Sequence, residues 1–181
     1  MSPLQLRGVK MASALDSFMN AGLPPYPPKL NPWFSASYKP KVFVSFDYEN
    51  DRRYKNLFEA WSVNSRFQFT FQDFTSREIM SNDVGRVKAA LSAKVKSSTY
   101  VVVVIGAYAN QLHPDAAKIG CRNWINFEIQ QAIFYKRRIV GVRIHPSYTL
   151  PEKIIGSEGR HVEGFSQAGI MSALRSFSSN V

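Results

Sequence analysis

The run Tyr100-Val101-Val102-Val103-Val104-Ile105 (YVVVVI) has no charge and no apolar–polar alternation. A short β-branched run of this kind reads as a strand covered on both faces, the condition of a central strand in a parallel sheet. Lys41 to Phe46 (KVFVSF) is an earlier run of the same type, Phe67 to Phe71 (FQFTF) alternates like a strand, and Arg138 to Ile144 (RIVGVRI) is a fourth. Helical spacing fills the intervals. Tyr54, Leu57, Phe58 and Trp61 recur at i, i+3, i+4 and i+7, and Val84, Val87, Leu91 and Val95 make one stripe behind a cap at Asn82 or Asp83. A third helix is predicted from about Trp124 to Lys136 and a short terminal one over Gly169 to Phe177. Strands alternating with helices predict an α/β protein with a doubly wound parallel sheet. Ligands of such sheets bind beyond the carboxyl ends of the strands, which directs attention to loops 46–53, 72–82 and 106–123.

The chain of 181 residues fits one domain, and 45% hydrophobic with 20% charged residues excludes wholesale disorder. A single cysteine, Cys121, excludes an intrachain disulfide and a multi-thiolate metal centre. The apolar run Tyr100 to Ala109 is about half the ~20 residues a spanning helix needs, and Asp16 interrupts the apolar patch near the start. A cytoplasmic domain with no membrane segment is therefore expected. Seven of the ten prolines fall in the first 40 residues, including Pro24-Pro25-Tyr26-Pro27-Pro28. The expectation is a proline-rich arm over residues 1–40, extended rather than helical, followed by a domain over 41–181. Of the net charge of +10, residues 1–41 hold Arg7, Lys10, Lys29, Lys39 and Lys41 against Asp16. The remainder is scattered, with Lys136-Arg137-Arg138 as its one dense cluster. Scattered charge argues for a solvated surface rather than a nucleic-acid track, so no nucleic-acid partner is expected. A positive field does favour a small anion such as a dinucleotide.

Familiar phosphate signatures are missing: no GxGxxG follows the first strand, and no GxxxxGK[ST] occurs. His113, His145 and His161 show no metal spacing with each other or with Cys121. Cys121 precedes a predicted helix start, where a thiolate is stabilised, but no nucleophile motif surrounds it. The stretch Ser45-Phe46-Asp47-Tyr48-Glu49-Asn50-Asp51-Arg52-Arg53 is denser in charge and polarity than a turn requires. Asp51 suits the dipole of the following helix, and the rest fits a ligand-binding loop. In the third helix Ile125, Ile129, Ala132 and Ile133 are expected to face the sheet. Trp124, Glu128, Gln131 and Tyr135 form a second stripe, which places Glu128 at the edge of the buried face. There the helix dipole and partial desolvation push its pKa in opposite directions. By itself this geometry suits an ordinary boundary glutamate better than a catalytic one.

Five segments in this order, VFVSFDYENDRRYKNLFEAW (42–61), FQFTFQDFTS (67–76), VVVVIG (101–106), WINFEIQQAI (124–133) and RIVGVRI (138–144), resemble the TIR-like domain family of Thoeris anti-phage defence proteins of the cyclic-ADP-ribose-synthase type. The resemblance spans about residues 41 to 155. It implies a flavodoxin-like (TIR-like) fold acting on NAD as substrate, with no further cofactor and no metal. Family members release nicotinamide and turn the ADP-ribose into a signal nucleotide that activates a separate effector protein. The family's catalytic glutamate falls on Glu128. The implied substrate contacts are Ser45, Phe46, Asp47, Tyr48, Asp51 and Arg53 in the first loop, Asp73 and Ser76 in the second, and Trp124. Self-association is expected as well. Ala107 to Asn123 make a longer connection than the resemblance leads one to expect, a place for a lid, an acceptor site or an assembly contact. Two other readings stand beside this one: a TIR-like binding module without turnover, and a nucleoside-processing transferase on a related sheet.

Overall fold

The computed structural model describes residues 39–64, 67–73, 81 and 83–177, apart from the side chains of Gln72 and Asp73. The arm expected over residues 1–40 lies almost wholly outside the described residues. All six residues of YVVVVI are buried, and they form the central strand of the sheet. The strands are β1 (Lys41–Ser45), β2 (Thr70–Asp73), β3 (Tyr100–Ile105), β4 (Arg138–Arg143) and β5 (Arg160–Glu163). They lie in the order β2-β1-β3-β4-β5 and every neighbouring pair is parallel. Val44 is in register with Val102, and Val103 with Gly141. The α/β doubly wound sheet expected from the sequence is thus present.

Alternation along the strands sends successive side chains to opposite layers. Phe43, Val101, Val103, Ile105 and Ile139 face one layer, where they meet Val87, Leu91 and Val95 of α2 (Val84–Ser97) and Ile125, Ile129 and Ala132 of α4 (Trp124–Phe134). Val42, Val44, Val102, Val104, Val140 and Val142 face the other, against Tyr54 and Phe58 of α1 (Arg52–Ser62) and Ile170, Met171 and Leu174 of α5 (Gln167–Ser176). A small helix, α3 (Ala116–Ile119), lies between β3 and α4 and ends at Gly120, whose φ of 76° suits a residue without a Cβ. Leu91 is fully buried between α4 and the sheet. Leu91→Ala should lower the unfolding free energy by about 2–5 kcal/mol, read from a denaturant midpoint at constant slope.

Several boundaries differ from the sequence reading. Phe67 and Phe69 are buried, yet they precede β2, which starts where the Thr70 N–H donates to the Pro40 carbonyl at 3.0 Å. The stripe of α2 holds and Asp83 caps it, its carboxylate accepting from the Gly85 and Arg86 N–H groups. Ile133 is 47% exposed rather than on the sheet. The buried face of α4 is centred on Ile125, Glu128, Ile129 and Ala132, rotated toward Glu128. β5 was not foreseen, because Arg160-His161-Val162-Glu163 offers one apolar residue. It is a short, charged edge strand, a design that discourages pairing with another chain.

Candidate active site

β1 ends at Ser45, fully buried, and α4 begins at Trp124 on the layer that covers this end of the sheet. One helical turn in, Glu128 reaches across to β1, and the Ser45 hydroxyl donates to Glu128 Oε2. Glu128 is 2% exposed. Burial pushes its carboxyl up to about 8, with the Ser45 hydrogen bond and the Lys94 charge opposing. The sequence reading put this carboxyl at the rim of the buried face with dipole and desolvation opposed. In the folded chain desolvation wins, because β1 supplies a single hydroxyl and α4 has turned this face inward.

Above Glu128 opens a cavity of about 640 Å³, within the range of small-molecule sites. Phe46, Asp47 and Tyr48 wall it on the β1 side, and Ser81, Val84 and Val87 on the α2 side. Tyr108, Leu112 and His113 from the long loop and Trp124 from α4 close the rest. The cavity therefore lies at the carboxyl ends of β1 and β3, as the topology requires. Phe46 and Tyr48 stack at 6.4 Å between centroids, and Arg52 lies over the Tyr48 ring at 5.3 Å. Trp124 meets the His113 and Phe127 rings edge-on, at 6.2 and 6.0 Å.

The first loop is held by its own acids. Asp47 Oδ1 accepts from the Glu49 and Asn50 N–H groups at 2.9 and 3.2 Å, and its carbonyl accepts from the Asp51 N–H at 2.8 Å. Asp51 occupies the N-cap position of α1, but its carboxylate makes no capping hydrogen bond. It is 5% exposed, with Oδ2 lacking a hydrogen-bond partner among the described residues. A Cβ on Gly106 would come within 2.1 Å of it. Burial, then the Asp47 charge, raises the Asp51 carboxyl to about 6, with Arg53 opposing. The capping role expected for Asp51 is thus replaced by packing against the backbone that follows β3.

The structure brings Phe46, Asp47, Tyr48, Trp124 and Glu128 to one cavity, with Ser45 and Asp51 supporting from behind. Arg53 turns away: its guanidinium lies 4.7 Å from the Tyr54 ring centroid and donates to the Tyr54 hydroxyl at 2.8 Å. The Asp73 side chain and Ser76 lie outside the described residues. Cys121 is no activated thiol, since burial raises its pKa and Sγ donates to Gln130 Oε1 at 3.1 Å. His113 Nδ1 accepts from the Asp115 N–H at 3.0 Å, a loop-forming role.

Sequence reasoning missed two asparagines. Asn123 caps α4 by accepting from the Asn126 N–H, while its Nδ2 donates to the Ala109 and Gln111 carbonyls at 3.0 and 2.8 Å. Asn126, fully buried, donates to Asn123 Oδ1 and Asn110 Oδ1 and accepts from the Lys153 N–H. Together they pin the long loop to the helix that carries Glu128. The cap was legible in an asparagine directly before Trp124. Asn126, a polar residue between Ile125 and Phe127 in a largely apolar helix, was the other signal.

A five-stranded parallel sheet in this order, with a carboxyl group beneath a cavity at the strand ends, defines a flavodoxin-like α/β domain. The family model of the Thoeris protein ThsB, TIR-like domain, matches residues 43–149, and the chain belongs to that family. It is a TIR-like module of an anti-phage defence system. The match runs from within β1 to beyond β4 and includes both Ser45 and Glu128. No curated protein matches the sequence. Among solved structures, the crystal structure of a prokaryotic SEFIR domain is similar at 12% identity and a TM-score of 0.46, over 78% of this chain and 91% of that one. No helix among the described residues is long and apolar enough to cross a membrane.

Proposed function

We propose that this module cleaves the bond between nicotinamide and ribose in NAD and converts the ADP-ribose into a cyclic signal nucleotide that activates a separate effector. The observation that carries the proposal is the buried Glu128 at the floor of the cavity, held from behind by the Ser45 hydroxyl. The C1′–N bond breaks with its electron pair passing to the cationic pyridinium, so nicotinamide leaves neutral and no general acid is required. A single carboxylate then suffices to stabilise the oxocarbenium-like ribose, unlike the paired carboxyls of a glycosidase. A hydroxyl or ring nitrogen of the same molecule captures C1′, giving a cycle and one proton. Capture by water gives ADP-ribose instead. Phe46, Tyr48 and Trp124 supply aromatic surface against a base and limit water at C1′.

With its carboxyl at about 8, Glu128 is largely protonated at neutral pH in the free protein. A pyridinium cation bound nearby favours the carboxylate and expels the proton. Substrate thus generates the ionised catalyst. kcat/KM for nicotinamide release should accordingly rise about tenfold per pH unit below pH 8 and level off above it, since this ratio reports the free enzyme. Mass spectrometry of NAD incubated with the protein, alone and in phage-infected lysate, identifies the product. A flat profile from pH 5 to 9 counts against Glu128 as the titrating group. The same protonated state favours a second reading, a module that binds a ligand without turnover. NAD left intact in both settings would select it.

A further inference from the structure

A second cavity lies at the opposite end of the sheet, where α4 finishes and β4 begins. It measures about 650 Å³ and is lined by Lys136, Arg137, Arg138 and Lys153, with Ile133 and Ile155 as apolar walls. Lys136 is eight residues beyond Glu128, or roughly 12 Å if measured at helical rise, so the two cavities sit at the two ends of α4. Glu158 is the one carboxylate among the described residues of the lining. None of the four cations forms a salt bridge among the described residues.

This arrangement costs the fold. Lys136 has a φ of 55°, a left-handed conformation that costs any residue carrying a Cβ. Arg137 donates from one terminal nitrogen to the Ser98 carbonyl at 3.2 Å, but its Nε is buried without a partner among the described residues. Three consecutive cations also repel one another. The carboxyl end of α4 offers about half a negative charge in return, too little to account for three cations and a fourth from another segment. Arg138 is held in place, donating to the Tyr100 hydroxyl at 3.2 Å with its guanidinium over the Phe177 ring at 6.0 Å. Ile133 and Ile155, 47% and 67% exposed, give the cavity an apolar side that an inorganic anion would leave uncovered.

We propose that this basic cavity is a second ligand site, for a phosphate-bearing small molecule of the nucleoside diphosphate class. The phosphates meet Lys136, Arg137 and Lys153, and the nucleoside lies against Ile133 and Ile155. Titration of the full ¹⁵N-labelled chain with ADP tests it, because glycine amides resolve the two cavities. Gly156 and Gly159 line the basic cavity, whereas Gly106 lies beside Asp51 at the other end. ADP should shift Gly156 and Gly159 saturably and more weakly as salt rises. Pyrophosphate should bind the same place less tightly, and adenosine should leave it unmoved. The double variant Lys136→Gly, Lys153→Gln should bind ADP at least tenfold more weakly. Its melting temperature should not fall, because glycine accepts the backbone conformation at 136. Saturable shifts confined to Gly106, a non-saturating drift at every amide, pyrophosphate binding as tight as ADP, or native affinity in the variant would each overturn the proposal.

Discussion

Glu128→Gln should lower the proposed release of nicotinamide from NAD by roughly 10²–10³-fold or more, and the same variant should resist unfolding better than the parent above pH 8. The first effect follows from removing the charge that develops opposite the ribosyl cation in the proposed reaction. The second follows from linkage. The folded carboxyl titrates at about 8 against an ordinary 4.5, so between those values the native state holds a proton that the unfolded chain has released. Stability of the parent therefore falls as pH rises from about 4.5 to 8 and then levels. Glutamine is isosteric, carries no charge, and can still exchange a hydrogen bond with the Ser45 hydroxyl. The variant gains at most about 4–5 kcal/mol at pH 8–9 and almost nothing near pH 4. Denaturant melts of both proteins at pH 4, 7 and 9 measure this directly. Undiminished NAD turnover would remove Glu128 from the chemistry, whereas a pH-independent difference in stability would contradict its burial as a neutral acid. The two readouts fail separately, so a destabilised variant cannot pass for a catalytic one.

That combination of lost activity and gained stability belongs to a group the fold holds at a cost. It also marks the limit of what the sequence disclosed. Helical spacing placed Glu128 on the stripe with Trp124 and near the start of α4, and the strand order directed ligands to that end of the sheet. Spacing alone could not say how far α4 rotates on the sheet, because Ile125, Ile129, Ala132 and Ile133 leave the centre of the face open by about one residue. The packing decides it: Ile133 is half exposed and Glu128 is covered. β3 was legible because six apolar residues in a row admit no exposed face. β2 was misplaced because Phe67 and Phe69 alternate like a strand, while Phe67 joins the aromatic cluster around Trp61, Phe58 and Phe165 and Phe69 meets the Tyr100 ring. Phe165 itself carried no signal, since it follows a strand that the sequence hides. The support beneath the site was least legible of all. Gly106 and Asp51 are 55 positions apart in the chain, and only the topology that sets β1 beside β3 brings them together.

That contact gives the second large effect. Gly106→Ala places a methyl group where the Asp51 carboxylate sits, 2.1–2.5 Å from its three terminal atoms. The carboxylate is 5% exposed, on a loop closed by the Asp47–Asp51 backbone hydrogen bond, so its burial leaves it little room to rotate away. The loop must shift with it, carrying Phe46, Asp47 and Tyr48 away from the cavity. Gly106→Ala should destabilise by about 2–4 kcal/mol, as overpacking of a buried site does at its upper range. Asp51→Ala should behave oppositely. The Asp51 carboxyl, raised to about 6, contributes stability that is fully present below the ordinary 3.8 and declines as pH rises through 6. Removing it leaves the protein at least as stable at pH 7. The double variant Asp51→Ala, Gly106→Ala then recovers most of the loss, because the methyl occupies space the carboxylate has vacated. A double-mutant cycle at pH 7 isolates this coupling, expected at about 2 kcal/mol and favourable to the double variant. Additive single effects would mean that the loop yields around Asp51 without strain. In that case the first loop is not anchored through Gly106, and the wall of the cavity has to be held by the Asp47 turn alone.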